Sequence, residues 1–278
     1  MSKETIVLVG VCDKPESTNV AQAKYFERLG YEVIPINYRT VISNYSLPFF
    51  ENLLMHVVET NKPKLVFFSK CNGIHSEIIK WCSDRVVVFY WFMDYTHNIT
   101  SEIMKHVEYA TFASATSSEV VDIFKQVNSN THWIIEGYDP EICFYEELTP
   151  IYNTVFIGNA TPKRIEQLKG SDVTIFGSGW PKEFNANPPV YGHEFRKVVC
   201  QSKFVLNLVH GNIFSNRVVD SLACGTDIHS EWCKDLSTVF PTAYMYKRFL
   251  LLTLKDVKIE RYTWENTLKK VMEIIENG

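Results

Sequence analysis

What this sequence lacks narrows the field first. The loop after its first apolar run, residues 10–17 (GVCDKPES), holds one glycine. The G-x-G-x-x-G turn that brings backbone against a dinucleotide pyrophosphate is therefore missing, and an NAD or FAD enzyme is disfavoured. No Walker pattern is present, and no G-x-S-x-G nucleophile elbow. Eight histidines are scattered without an H-E-x-x-H or comparable set, which argues against a dedicated zinc site. No Asp-x-Asp pair occurs, which weakens a metal-bridged diphosphate site, since Mg²⁺ at phosphates is usually held by one or two carboxylates. Seven cysteines are dispersed with no C-x-x-C, as in a reduced cytosolic protein. No apolar run is long enough to cross a bilayer. The opening MSKETIVLVG reads as a first strand and not as a signal-peptide core, so a cytoplasmic location is expected. Excess positive charge is also missing. The net charge is −4 and the pI is about 6.1, so the whole chain has no drive toward nucleic acid or anionic membrane.

What is present reads as two α/β domains. The 278 residues exceed one ordinary core, and 46% hydrophobic with 22% charged residues is a globular balance. Short apolar runs at 5–9, 31–36, 64–69, 86–91, 110–115 and 132–135 alternate with helical patterns at 19–29, 53–60, 74–82 and 118–126. The runs are continuously apolar, as parallel strands covered on both faces require. Around Gly137 the rhythm pauses in GYDPEICFYEELTPIYN, a candidate linker. A second unit follows, with strands at 154–157, 173–176 and 204–209 and helices at 163–169, 194–201 and 217–224. Residues 264–276 form a terminal amphipathic helix.

The most informative segment is NRVVDSLACG, from Asn216 to Gly225, just after the run FVLNLV. If it opens a helix, Arg217 and Asp220 share one face of its first turns. Backbone amides, the helix dipole and Arg217 suit a phosphate there, and Asp220 can accept from ribose hydroxyls. The plain alternative is a surface ion pair. GSGW, from Gly177, reads by itself as a turn, and His193 and His210 stand at element ends. In the first half, Asp13 and Asp94 fall just beyond the carboxyl ends of strands, where open α/β sheets do their chemistry. Asp94 lies in YWFMDYTHN, and low polarity there would raise its pKa and improve it as a base. A role as the cap of the following turn fits equally.

With these pieces in order, the C-terminal half resembles the CgeB-like (spore-maturation type) glycosyltransferases, within the broad glycosyltransferase group 1 relatives. The segments FIGNATPKR, IFGSGW, YGHEFRKVVCQSKFVLNLVHGN and NRVVDSLACG carry the likeness as an ordered set; WFMD and EGYDPEICF extend it more loosely into the first half. The resemblance implies an α/β GT-B fold, two Rossmann-like domains facing a cleft, with the C-terminal helix crossing back to the first. The domains would be 1–148 with 263–278 for the acceptor and 149–262 for the nucleotide sugar. It also implies that Arg217 and Arg164 bind the diphosphate, Asp220 the ribose, and Asn207 and Asn212 the sugar or phosphate. Gly158 marks the first loop of that site, and Gly177, Trp180 and Tyr191 would shape the base pocket. The family usually has Glu at the place of Asp220, and it runs apolar where this chain has TDIHSEW.

The expected activity is metal-independent hexosyl or pentosyl transfer from a nucleoside diphosphate sugar, a UDP-sugar first, to a hydroxyl acceptor, with no resident cofactor. Asp94 is the first candidate base and Asp13 the second. By analogy with compact phage transferases the acceptor is a hydroxymethylated pyrimidine in DNA, with Lys62, Lys64, Lys70, Lys80 and Arg85 edging a groove or merely solvating the surface. A non-catalytic nucleotide-sugar-binding module is the rival reading, and Asp220 in place of Glu favours it.

Overall fold

The apolar runs of the first half form a parallel sheet because each strand is wrapped on both sides by helices from its own βα repeats. In the computed structural model, which describes residues 3–14, 17–209, 215–241, 243–246, 249–253 and 257–278, the order begins β1 (Thr5–Gly10), α1 (Thr18–Arg28), β2 (Glu32–Asn37), α2 (Tyr38–Asn44), α3 (Leu47–Asn61) and β3 (Leu65–Ser69). It continues with α4 (Ser76–Ser83), β4 (Val87–Phe92), α5 (Ser101–Tyr109), β5 (Phe112–Ala115), α6 (Ser118–Phe124) and β6 (Thr131–Trp133). The strands lie in the order β2-β1-β3-β4-β5-β6, all parallel. Alternate residues face opposite layers, with Val7, Val9, Val66, Phe68, Tyr90 and Phe92 in one core and Ile6, Leu8, Phe67, Phe89 and Trp91 in the other.

The second unit runs β7 (Tyr152–Ile157), α7 (Pro162–Leu168), β8 (Thr174–Phe176), α8 (Gly192–Cys200), β9 (Ser202–Asn207), α9 (Asn216–Ala223), β10 (Asp227–Glu231), α10 (Lys234–Val239), β11 (Tyr244–Tyr246) and β12 (Phe249–Leu252). Its sheet order is β11-β12-β10-β9-β7-β8, with β12 antiparallel to both its neighbours. The polar TDIHSEW stretch contains β10, in which Ile228 and Ser230 are buried and Asp227, His229 and Glu231 are not. A strand with alternating burial needs only every second residue to be small or apolar. The last helix, α11 (Trp264–Asn277), belongs to the first unit, where Trp264, Leu268, Val271 and Met272 pack with Tyr25 and Phe26 of α1.

The units divide as Met1–Glu136 with Trp264–Gly278, and Gly137–Thr263. Residues 137–148, placed by the sequence in the first domain, lie with the second unit. Tyr138 N–H donates to the Tyr262 carbonyl (2.8 Å), Cys143 is buried, and Arg196 of α8 holds Glu146 (3.1 Å) while covering the Phe144 ring (4.0 Å). Proline and acidic residues mark an irregular path here, and it is a packed one.

Candidate functional site

In the second unit the chain leaves β7 and β8 through two loops that are hydrogen-bonded into one platform. Gly158 N–H donates to Phe176 O (2.8 Å), and Ala160 N–H to Ser178 O (2.9 Å). The approach requires glycine. Gly177 has φ +155°, and a Cβ there would meet the Gly158 carbonyl oxygen at 2.1 Å. Trp180 ties the pair from the side, donating Nε1–H to the same oxygen (2.9 Å) with its ring edge-on to Phe156 (5.9 Å). GSGW is thus a turn, and also the partner of the FIGNA loop.

Two arginines converge on this platform. Helix α7 starts at the Thr161 cap, whose Oγ1 accepts from Arg164 N–H (3.3 Å), with Pro162 filling the first helical position. Arg164 then donates to Asn159 O (2.8 Å) and lies 5.3 Å from the Phe156 ring centre. Arg217, in the first turn of α9, lies 5.2 Å from the same ring. It donates to Asn207 Oδ1 (3.3 Å), and its Nη2 would stand 2.9 Å from a Cβ on Gly158. Two guanidinium groups approach one ring beside glycine backbone at strand carboxyl ends, an arrangement whose charge suits a compact anion.

The remaining expected donor residues are distributed around this group. Asn207, expected to meet the sugar or phosphate, is 2% exposed, donates to Ser230 Oγ (2.8 Å) and accepts from Arg217, so it links the arginine to β10. Asp220 accepts from Asn216 Nδ2 (3.0 Å) and stands beside Cys143, so helix spacing gives it and Arg217 different neighbours. Tyr191 is 53% exposed before α8 and uses its carbonyl to start that helix. Asn212 and His210 lie outside the described residues.

In the first unit Asp94 sits in a setting opposite to the apolar one expected. Its Oδ2 is 3.3 Å from Lys70 Nζ, and its Oδ1 accepts from Tyr95 N–H (3.0 Å) and Asn98 Nδ2 (2.8 Å). The turn that follows starts at Tyr95 without a side-chain cap, so Asp94 is held by a cation and two hydrogen bonds, and its aromatic neighbours in sequence do not isolate it from charge. Asp13 is exposed, and the Thr40 hydroxyl, donating at 2.7 Å, holds its carboxyl below the usual range. A carboxylate stabilised in its charged form is a weaker base.

A family model described as glycosyl transferase-like matches residues 160–247, the stretch that carries Arg164, Trp180, Asn207 and Arg217. A search of the curated proteins finds no match. Among solved structures the chain is similar to a sucrose-phosphate synthase from Thermosynechococcus elongatus, at 13% identity over 99% of this chain and 98% of that one, with TM-score 0.68. It is also similar to a glycosyltransferase from Rickettsia africae, at 13% identity over 100% of both chains, with TM-score 0.64. A lipopolysaccharide outer core galactosyltransferase, WaaB, matches at 11% identity over 98% and 99%, with TM-score 0.59. The fold is that of the GT-B glycosyltransferases.

Within this GT-B chain two acids stand out that sequence reading passed over. Glu231, at the carboxyl end of β10, accepts from Val209 N–H (2.8 Å) and from Gln167 of α7 (2.5 Å), and Lys163 approaches it at 3.8 Å. Glu136 ends the first unit beyond β6 and is half-buried; desolvation pushes its pKa from 4.5 up to about 7, against the opposing pull of Lys70 and the Thr18 hydroxyl. For Glu136 the signal was available, since it lies just past a strand as Asp13 and Asp94 do; Glu231 ends β10, a strand the sequence pattern does not show.

Proposed function

We propose that the protein moves a glycosyl group from a nucleoside diphosphate sugar to a hydroxyl acceptor without a metal ion. The observation that carries this reading is the convergence of Arg164 and Arg217 on Phe156, beside the Gly158–Gly177 backbone contact. When the bond from the anomeric carbon to the diphosphate breaks, negative charge grows on the departing oxygen. Fixed guanidinium groups and the α9 N-terminus stabilise that charge without reorganising, the role a metal or oxyanion hole fills elsewhere. Asn207 keeps Arg217 in place for this. Asp220 is the proposed ribose contact and Trp180 part of the base pocket, with a UDP-sugar as the first donor to test. The seven cysteines stand as free thiols, which suits a reducing cytoplasm.

The acceptor reading turns on where the basic residues stand. Lys64 precedes β3 and pairs with Glu4 (2.8 Å) and Glu276 (3.6 Å), whereas Lys70 follows the same strand and pairs with Asp94. Lys80 pairs with Asp84 (3.2 Å), and Arg85 lies over Trp81 (4.1 Å). These charges are spread over both ends of the sheet and largely matched, which favours a small acceptor over a hydroxymethylated pyrimidine in duplex DNA.

The test is thermal unfolding and calorimetry with UDP-glucose, other nucleoside diphosphate sugars and UDP, followed by slow donor hydrolysis. A donor that binds only the folded state raises the melting temperature, and Arg217→Ala removes the effect. No binding to any nucleoside diphosphate sugar refutes the reading. Binding with neither hydrolysis nor transfer would instead support the non-catalytic module.

A further inference from the structure

Three cysteines that are far apart in sequence meet inside the second unit. Cys143 lies in the packed segment before β7, Cys200 is the last residue of α8, and Cys224 follows α9 directly. All three are buried: Cys224 fully, Cys143 to 6% exposure and Cys200 to 8%. The Cys224 thiol is within hydrogen-bond reach of both the Cys143 and the Cys200 sulfurs. The surrounding backbone holds them there. Thr226 Oγ1 donates to Val199 O (2.9 Å), which joins the exit of α9 to the end of α8. Cys200 Sγ lies 3.6 Å from the Cys224 carbonyl oxygen and 3.8 Å from that of Phe144. Gly225, at φ +79°, turns the chain into β10 beneath the Tyr145 ring, which a Cβ there would meet at 2.7 Å. Arg196, by gripping Glu146 and covering Phe144, closes residues 143–146 over the ends of both helices.

The three thiols are not equivalent. The Cys224 thiol donating to Cys200, with the Glu146 N–H and the Arg196 guanidinium beside it, holds Cys200 below the ordinary thiol range against burial and the Glu146 carboxylate. At Cys143 the Cys224 contact pulls downward, but burial and the carboxylates of Asp220 and Asp139 outweigh it and raise the thiol. Cys224 is raised, since its proton is shared with the other two sulfurs. The thiolate is the nucleophilic form of cysteine, so Cys200 is the member of the cluster equipped to attack and Cys224 the neighbour placed to follow. The remaining cysteines give the contrast. Cys12 is more exposed than any of the three, yet burial and the adjacent Asp13 push its thiol up to about 11. Burial pushes Cys82 up to about 12 and also raises Cys71 and Cys233. Cys200 is the one thiol of the seven that is lowered.

We propose that Cys200 and Cys224 form a reversible oxidation site, in which a small hydroperoxide oxidises Cys200 and Cys224 then closes an intrachain disulfide. This goes beyond the glycosyl-transfer reading and does not depend on it. In the first step the Cys200 sulfur attacks one oxygen of hydrogen peroxide and the O–O bond breaks. Its electron pair leaves with the other oxygen, which takes a proton and departs as water. Cys200 is thereby oxidised by two electrons to the sulfenic acid and the peroxide is reduced. The Cys224 sulfur next attacks the Cys200 sulfur, the S–S bond forms, and the S–O bond breaks. The hydroxide leaves with the Cys224 proton as a second water, so two thiols and one peroxide give one disulfide and two waters. A dithiol reverses the bridge by exchange. Because Cys200 is only 8% exposed, a small peroxide reaches it in preference to a bulky disulfide. The bridge ties the end of α9, the helix bearing Arg217 and Asp220, to the end of α8.

The experiment treats the reduced full chain with hydrogen peroxide, quenches it, counts free thiols in denaturant and maps tryptic peptides by mass without reductant. Fragmentation is needed because Cys224 and Cys233 share the stretch between Arg217 and Lys234. Two of the seven thiols should disappear, return with dithiothreitol, and be found joined as Cys200–Cys224. Cys12, despite its greater exposure, should be oxidised more slowly by about tenfold or more. Cys200→Ser should slow the loss of thiols by a similar factor, and Cys224→Ser should stop the reaction at a Cys200 sulfenic acid that dimedone captures. Faster oxidation of Cys12 than of Cys200 overturns the proposal. So does a bridge that joins Cys143, Cys233 or a second chain, or an unchanged rate in Cys200→Ser. The comparison of Cys200 with Cys12 is made in the unaltered protein, so it decides even where a variant fails to fold. None of these measurements uses a sugar donor, and failure of the transferase reading leaves them intact.

Discussion

Replacing Glu136 by Gln should stabilise the protein at alkaline pH, whatever it does to activity. Burial raises the Glu136 pKa from 4.5 to about 7, so the folded state binds its proton more tightly than the unfolded chain does. For a group shifted upward, the stability it contributes is complete below about pH 4.5 and is lost as pH rises through 7. Each unit is worth about 1.4 kcal/mol, so charging Glu136 at high pH costs the fold roughly 3 kcal/mol. Gln has the same shape and never charges. Integrating the linkage between pH 5 and pH 8.5 gives a growth of about 2.5 kcal/mol in the advantage of Gln over Glu. The comparison across pH removes any constant offset from the altered Thr18 hydrogen bond. Urea unfolding of both proteins at several pH values, analysed at fixed m, reads it directly. A stability difference that stays flat across this range, or that shrinks, would refute the picture of a desolvated Glu136 carboxyl.

Four further outcomes follow from the donor platform and the terminal helix. Arg217→Ala should weaken UDP-sugar binding by about 1.5–3 kcal/mol, the usual range for a charged hydrogen-bond donor, and Arg217→Lys should restore little of it; calorimetry decides. Asn207→Ala, at a side chain 2% exposed, should weaken the same binding through a displaced Arg217 and show little further loss in the Arg217→Ala background, as a double-mutant cycle would reveal. Gly177→Ala should destabilise the second unit and remove donor binding, because its Cβ would meet the Gly158 carbonyl at 2.1 Å; circular dichroism melting with a donor titration checks both. Trp264→Ala, at a residue 3% exposed in the core shared with α1, should cost about 3–5 kcal/mol in urea unfolding, and a loss below 1 kcal/mol would contradict the packing of α11.

The parallel strands were legible because their burial on both faces leaves continuous apolar runs, and each described strand up to β9 has a counterpart in those runs. Helix α5 was missed. Its buried stripe is Ile103, His106 and Val107, and a buried histidine carries no apolar signal. His106 is accommodated by contact with the Ile74 carbonyl (3.1 Å), a partner 32 residues away that no local pattern displays. Strand β10 was hidden for a related reason, since Ser230 is buried on the strength of its bond from Asn207. At the site, spacing brought out Arg217 and the glycine loops but could not assign neighbours. Asp94 looked apolar from its sequence flank, and Lys70, distant in sequence, makes it an ion pair. Glu136 was overlooked because the linker read from GYDPEICFYEELTPIYN begins at the next residue, while the chain before Gly137 still belongs to the first unit.

Both units fix their strand-end loops with a buried asparagine, and this explains how polar sites are kept in place on sheets so apolar. Asn19 joins the β1 loop to Ser69 after β3, and Asn207 joins β10 to Arg217 on α9. A buried amide costs stability unless its donors and acceptors are met, so only the arrangement that meets them is populated. Apolar packing alone would tolerate small shifts of these loops, since it is non-directional. The amides convert that tolerance into a defined distance between cation and backbone in each unit. Arg217 sits one bond, and Lys70 one residue, from the asparagine network. Replacing either asparagine should therefore alter ligand affinity through positioning even though neither side chain is exposed enough to make a full contact with a ligand.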